Sequence, residues 1–105
     1  MLEFTDENFE TEVLKSDIPV IVEFKTEWCP TCKKITPIME SLEESYKGKL
    51  KIGVLDASKY PKYAIANDVL SVPTIIIFKN GQLVKRISGM QSKEDIIKHV
   101  DEAII

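Results

Sequence analysis

Val20-Ile21-Val22-Glu23-Phe24-Lys25-Thr26-Glu27-Trp28-Cys29-Pro30-Thr31-Cys32 carries a β-branched, almost wholly apolar run directly into a pair of cysteines. Pro19 opens the run, which is too continuous for a strand with one wet face, so it predicts a central strand covered on both sides. One carboxylate, Glu23, falls inside it. Beyond the cysteines, Ile35, Ile38, Met39, Leu42 and Tyr46 follow helical spacing, and Gly48 supplies a C-terminal stop. Pro37 removes a hydrogen bond inside that helix, which predicts a kink about one turn past Cys32. The cysteines therefore stand where a buried strand becomes a long amphipathic helix.

Upstream, Leu2 to Thr5 reads as a short strand. Thr5 or Asp6 can cap a following helix that places Phe9, Val13 and Leu14 on one face. Downstream, Leu50, Ile52 and Val54 alternate with Lys51 and Gly53 in a strand ending near Asp56. Pro61 suits the first turn of a short helix carrying Tyr63, Ala64 and Ile65, with Asn67 or Asp68 as a left-handed exit. Pro73 opens a strand from Thr74 to Lys79. Asn80-Gly81 is a strong hairpin signal, and Gln82 to Ser88 returns antiparallel. Ser92 with Asp95 resembles a capping box, and Ile96, Ile97, Val100, Ala103 and Ile104 form the apolar stripe of a last helix. The order βαβαβαββα predicts an α/β fold: a mixed five-stranded sheet, its first three strands parallel, with helices on both faces.

At 105 residues the chain fits one domain, taken as 1–105. A hydrophobic fraction of 44% with 30% charged residues is that of a packed globular domain and excludes disorder, collagen and coiled coil. The net charge of −3, with basic residues scattered, offers no footprint for nucleic acid or an anionic membrane. The first twenty residues are acidic, unlike a secretory leader, and no apolar run approaches the roughly 18 residues of a bilayer span. The expected location is the cytoplasm.

In that setting two cysteines do not make a disulfide scaffold, so the Cys29/Cys32 pair calls for a chemical explanation. The start of a helix aims free amides and the positive end of its dipole at the first sulfur, which predicts Cys29 at the N-cap as the activated thiol. Cys32, one turn in, is shielded and within disulfide reach. Zinc is the rival reading, but a structural site needs four ligands and only the remote His99 could join the thiols. His99 otherwise reads as a solvated helix residue.

With Trp28-Cys29-Pro30-Thr31-Cys32, Val72-Pro73-Thr74, Phe78-Lys79-Asn80-Gly81 and Gly89 in place, the sequence resembles the thioredoxin family over nearly its full length. The resemblance implies a thioredoxin fold and a thiol:disulfide oxidoreductase that reduces protein disulfides and is recharged by thioredoxin reductase or a similar electron donor. It implies no cofactor beyond the redox-active Cys29-Cys32 disulfide, and a monomer. Cys29 matches the family's attacking cysteine and Cys32 its resolving one. Pro73 matches the family's cis-proline, and Trp28, Val72, Pro73 and Gly89 match its docking groove. Pro30 and Thr31 between the cysteines belong to the same candidate surface, with Met90 offering an adaptable contact or simply packing at an edge.

The chain departs from the family pattern at several positions. Pro30-Thr31 replaces the usual Gly-Pro, an order closer to that of glutaredoxin. Glu23 stands where aspartate is usual, and Val54 where a lysine often lies. Lys25 replaces an aromatic residue, and Asn67-Asp68 replaces Tyr-Gly. Glutaredoxin-like and isomerase-type activity are the alternatives, with Lys33 and Lys34 readable as glutathione-binding groups or as a solvated face. A non-enzymatic metal or redox-sensing module is a third.

Bringing a thiol from about 8.5 to about 7, the value known for thioredoxin, raises its ionised fraction at pH 7 roughly fifteenfold. Weaker nucleophilicity returns about fivefold of this, leaving a net gain of only about threefold on attack. Cys32 must lose a proton, and Glu23 is the expected acceptor, its own pKa raised by burial with no lysine at Val54 to pull it back. Thr31 restores an amide that proline would delete. This predicts an added hydrogen bond to Cys29 and a potential some tens of millivolts above about −270 mV.

Overall fold

The computed structural model describes residues 1–105. Five strands, β1 (Leu2–Phe4), β2 (Val20–Lys25), β3 (Lys51–Asp56), β4 (Thr74–Lys79) and β5 (Gln82–Ser88), form one sheet in the order β1-β3-β2-β4-β5. β3 pairs parallel with both β1 and β2, whereas β4 runs antiparallel to β2 and to β5. The mixed α/β architecture expected from the element order is thus present. All of β2 is buried but Lys25, as a strand flanked on both edges and covered on both faces must be.

Alternation along β2 divides the core. Ile21 shares an apolar cluster with Ile35, Met39 and Leu42 of helix α1 (Pro30–Ser45) and with Ile96 and Val100 of helix α3 (Lys93–Ile104). Val20, Val22 and Phe24 face the other way, toward Phe9, Val13 and Ala64 of the short helix α2 (Lys62–Ala66). By the same period of two, Glu23 belongs to the α1 side.

Local signals are met with differences of detail. Thr5 rather than Asp6 makes the side-chain bond ahead of the first helical segment: its hydroxyl accepts from the Asn8 N–H, while Asn8 Oδ1 accepts from the Thr5 N–H. The segment that follows is not a regular α-helix but a π-helical turn, Glu10–Leu14, closed by the Lys15 N–H donating to the Glu10 carbonyl at 2.9 Å. The wider turn still buries both Phe9 and Val13. α1 runs unbroken through Pro37. Asp68, with φ 55°, takes the left-handed exit, and Asn80 and Gly81, with φ 54° and 77°, make the hairpin turn. Ser92 caps α3 by accepting from the Asp95 N–H at 3.1 Å. No helix is long and apolar enough to cross a membrane.

Candidate active site

β2 ends at Lys25, and the chain reaches α1 within four residues, which places Cys29 at the N-cap and Pro30 in the first turn. Pro30 loses nothing there, because the first amides of a helix have no partner inside it. Cys29 and Cys32 form a disulfide with Cα atoms 5.2 Å apart. Cys29 is 8% exposed and Cys32 1%, so the first cysteine is the more accessible of the two.

The amide that reaches Cys29 belongs to Cys32, whose N–H donates to Cys29 Sγ at 3.0 Å. In this disulfide form the donor is Cys32 and not the expected Thr31. Three residues after the cap is the geometry an N-cap side chain uses, and the Cys32 amide is available whatever dipeptide separates the cysteines.

Strand register brings the remaining candidates to the same end of the sheet. Thr74 stands opposite Phe24 on one side and Ser88 on the other. Pro73, just before Thr74, and Gly89, just after Ser88, therefore lie beside the segment that leads into Cys29. The Gly89 N–H donates to the Pro73 carbonyl at 2.9 Å, and the Val72–Pro73 peptide is cis. Trp28 is 82% exposed and Met90 is also exposed, while Val72 and Thr31 are half-buried and Pro30 is open to solvent. Pro73 itself is buried, so it is the backbone flanking it that borders the surface. Leu70, which no sequence signal singles out, is almost fully exposed three residues before Pro73.

Glu23 is fully buried, which removes the alternative of a solvated strand glutamate. Its neighbours in register are Val54 and Ile75, both apolar. Burial pushes the Glu23 carboxyl up from 4.5 to about 7, against the opposing effects of a hydrogen bond from Thr36 and the charge of Lys25. The direction agrees with expectation. The view that nothing pulls the value back is corrected, because Lys25 and Thr36 both do.

Thr36 carries the contact that sequence reasoning misses. Its Oγ lies 3.1 and 3.2 Å from the two Glu23 carboxylate oxygens and 3.0 Å from the Cys32 carbonyl oxygen. The available signal is a hydroxyl one helical turn after Cys32, on the side of α1 that also carries Ile35 and Met39. Thr36 also lines a cleft of about 420 Å³ together with Lys25, Glu27, Cys32, Lys33 and Glu40. This cleft opens beside the second cysteine. Neighbouring Asp56 sits opposite Lys25; burial raises its carboxyl, but hydrogen bonds from the Ser58 side chain and amide, with Lys25, hold it below the ordinary value. No group of three or more His, Cys, Asp or Glu side chains is placed to hold a metal ion, and His99 lies near Glu102 on α3.

The thioredoxin family model matches residues 1–102. Among curated proteins the chain is similar to a thioredoxin of Rickettsia felis, 37% identical over 100 residues and 95% of each chain. A thioredoxin of Chlorobaculum thiosulfatiphilum is 39% identical over 97% of this chain and 94% of its own. A bifunctional thioredoxin reductase/thioredoxin of Mycobacterium leprae is 35% identical over 98% of this chain, which corresponds to 22% of that longer protein.

Proposed function

The chain belongs to the thioredoxin family and is a thiol:disulfide oxidoreductase, and from that premise we propose that it reduces protein disulfides with Cys29 as nucleophile and Cys32 as resolving thiol. The observation that carries this division of labour is the difference in access: Cys29, at the helix N-cap, is 8% exposed, whereas Cys32, one turn deeper, is 1% exposed.

In the reduced protein the Cys29 thiolate attacks one sulfur of a substrate disulfide, and the other substrate sulfur leaves as a thiolate. Cys32 then gives its proton to the Glu23 carboxylate and attacks Cys29 Sγ. The substrate's second thiolate leaves, and the Cys29-Cys32 disulfide forms. The two electrons that reduced the substrate come from the two cysteines. The Cys32 N–H aimed at Cys29 Sγ and the helix N-terminus both favour negative charge on that sulfur, so they assist its ionisation for the first attack. A carboxyl with a pKa of about 7 is suited to accept a thiol proton near neutrality, being half ionised there and returning the proton easily.

Trp28, Pro30, Thr31, Val72, Pro73, Gly89 and Met90 form the docking surface in this reading. Exposed apolar side chains on either side of Cys29, with the Val72–Gly89 backbone alongside, suit an extended segment around a substrate disulfide. No cofactor is needed beyond the cysteine pair. The electron donor is thioredoxin reductase, a pairing supported by the Mycobacterium leprae relative whose name joins both activities in one chain. We place the protein in the cytoplasm, acting as a monomer.

The test is a pair of single substitutions. Cys29→Ser abolishes disulfide reduction. Cys32→Ser still attacks but accumulates as a mixed disulfide with its substrate, seen by mass spectrometry and released by a small thiol. Mixed disulfides on Cys29→Ser instead would reverse the assignment. Recharging of the oxidised protein by NADPH and thioredoxin reductase, but not by glutathione, separates this reading from a glutaredoxin-like one.

A further inference from the structure

We propose that Thr36 is a positioning residue for the resolving step: its hydroxyl holds the Glu23 carboxyl against the first turns of α1 and exchanges partners with the Cys32 carbonyl as that carboxyl gains and loses its proton. The proposal rests on Glu23 as proton acceptor. A threonine hydroxyl has one hydrogen to donate and can also accept. Three acceptors lie within its reach, at 3.0, 3.1 and 3.2 Å, so they cannot all be served together.

The protonation state of Glu23 decides the arrangement. An ionised carboxylate is the stronger acceptor and takes the Thr36 hydrogen. Once Glu23 has received the proton from Cys32 it becomes a donor; Thr36 Oγ accepts from it, and the Thr36 hydrogen turns to the Cys32 carbonyl. Both states keep the buried carboxyl paired, so the proton can arrive and leave without stranding a polar group in the core. Thr36 lines the cleft beside Cys32 whereas Glu23 is fully buried, so the hydrogen bond joins the buried carboxyl to a residue that borders the cleft.

The other charged groups around the carboxyl do not substitute for this contact. Lys25 lies two residues on along β2 with Asp56 opposite it, and Lys33, Glu27 and Glu40 border the cleft, so positive and negative charges are nearly matched. The strands on either side present Val54 and Ile75. The Thr36 hydroxyl is the one side-chain hydrogen-bond donor that reaches the carboxylate oxygens.

Three variants test the proposal. In Thr36→Val, which keeps the shape and removes the hydroxyl, the titration midpoint of the Glu23 side-chain carbon, followed by 13C NMR, rises by about half to one pH unit. The pH midpoint of resolution, read by stopped flow as release of the second substrate thiol, moves up with it. At pH 7 resolution slows about two- to fivefold while the first attack keeps its rate. Thr36→Ser restores both midpoints. A Glu23 titration and a resolution profile in Thr36→Val identical to the native ones overturn the role of Thr36. Glu23→Gln separates this from failure of the underlying reading: if it loses the pH-dependent limb while Thr36→Val is unaffected, only the Thr36 proposal falls. If Glu23→Gln keeps the native profile, Glu23 is not the acceptor and both fall.

Discussion

Glu23 shows how one residue can serve chemistry at the expense of stability. Its folded pKa of about 7 lies above the 4.5 of an unperturbed glutamate, because burial disfavours the charge. The folded state therefore binds a proton that the unfolded state has lost between these two values. Stability contributed by the neutral carboxyl is complete below about pH 4.5 and is lost as pH rises through about 7. The loss is at most about 3 kcal/mol. Glu23→Gln, which stays neutral, is expected to be more stable than the native protein by about 1–3 kcal/mol at pH 8 and to show no such gain at pH 4.5. Urea unfolding at the two pH values checks it; an equal difference at both would remove burial of the charge as the cause.

Among the elements, β3 depends on a side chain it lacks. A Cβ built on Gly53 would lie 2.5 Å from Phe4 Cε2 and 2.6 Å from the Leu2 carbonyl oxygen. Phe4 is fully buried and Leu2 is the register partner of Gly53 in β1, so neither can withdraw without loosening the edge of the sheet. Gly53→Ala should cost about 1–3 kcal/mol, measured by urea unfolding. In sequence, Gly53 reads as the small outward residue of an alternating strand, since nothing local reveals that β1 and Phe4 close over it. The π-helical turn at Glu10–Leu14 is hidden for a related reason. Phe9 and Val13 are four apart, a spacing that one widened turn satisfies as well as a regular one, and packing against β2 and α2 chooses between them.

At the scale of the molecule, the sheet separates two apolar layers that do different work. Phe9 anchors the layer away from α1, stacked on Tyr63 with ring centroids 4.1 Å apart and edge-on to Phe78 at 5.6 Å. Phe9→Ala should remove about 3–5 kcal/mol, a large part of the stability of an ordinary domain. The cysteines begin α1 and Glu23 points to the α1 side, with β2 lying between them and Phe9. The folded variant should therefore retain disulfide reduction close to native. Unfolding curves, together with activity measured where both proteins are folded, check this; a loss of activity in step with stability would show that the layers are not independent.

The element order, the hairpin at Asn80-Gly81, the left-handed exit at Asp68, the N-cap position of Cys29 and the burial of Glu23 can all be read along the chain. Each follows from the period of apolar residues or from the backbone preference of a few neighbours, and such preferences act within a turn or a strand. The contacts that tune the site cannot be read this way. Thr36 meets Glu23 across thirteen positions of sequence, Gly89 meets Pro73 across sixteen, and Lys25 acquires Asp56 through strand register. Even within the cysteine motif, which amide turns to Cys29 Sγ is settled by the geometry of the first helical turn, and it is that of Cys32 rather than Thr31. A hydroxyl, an amide or a charge has several partners chemically open to it. Choosing among them requires the packing of α1 on β2 and the alignment of β4 with β5, which exist only once distant segments have come together.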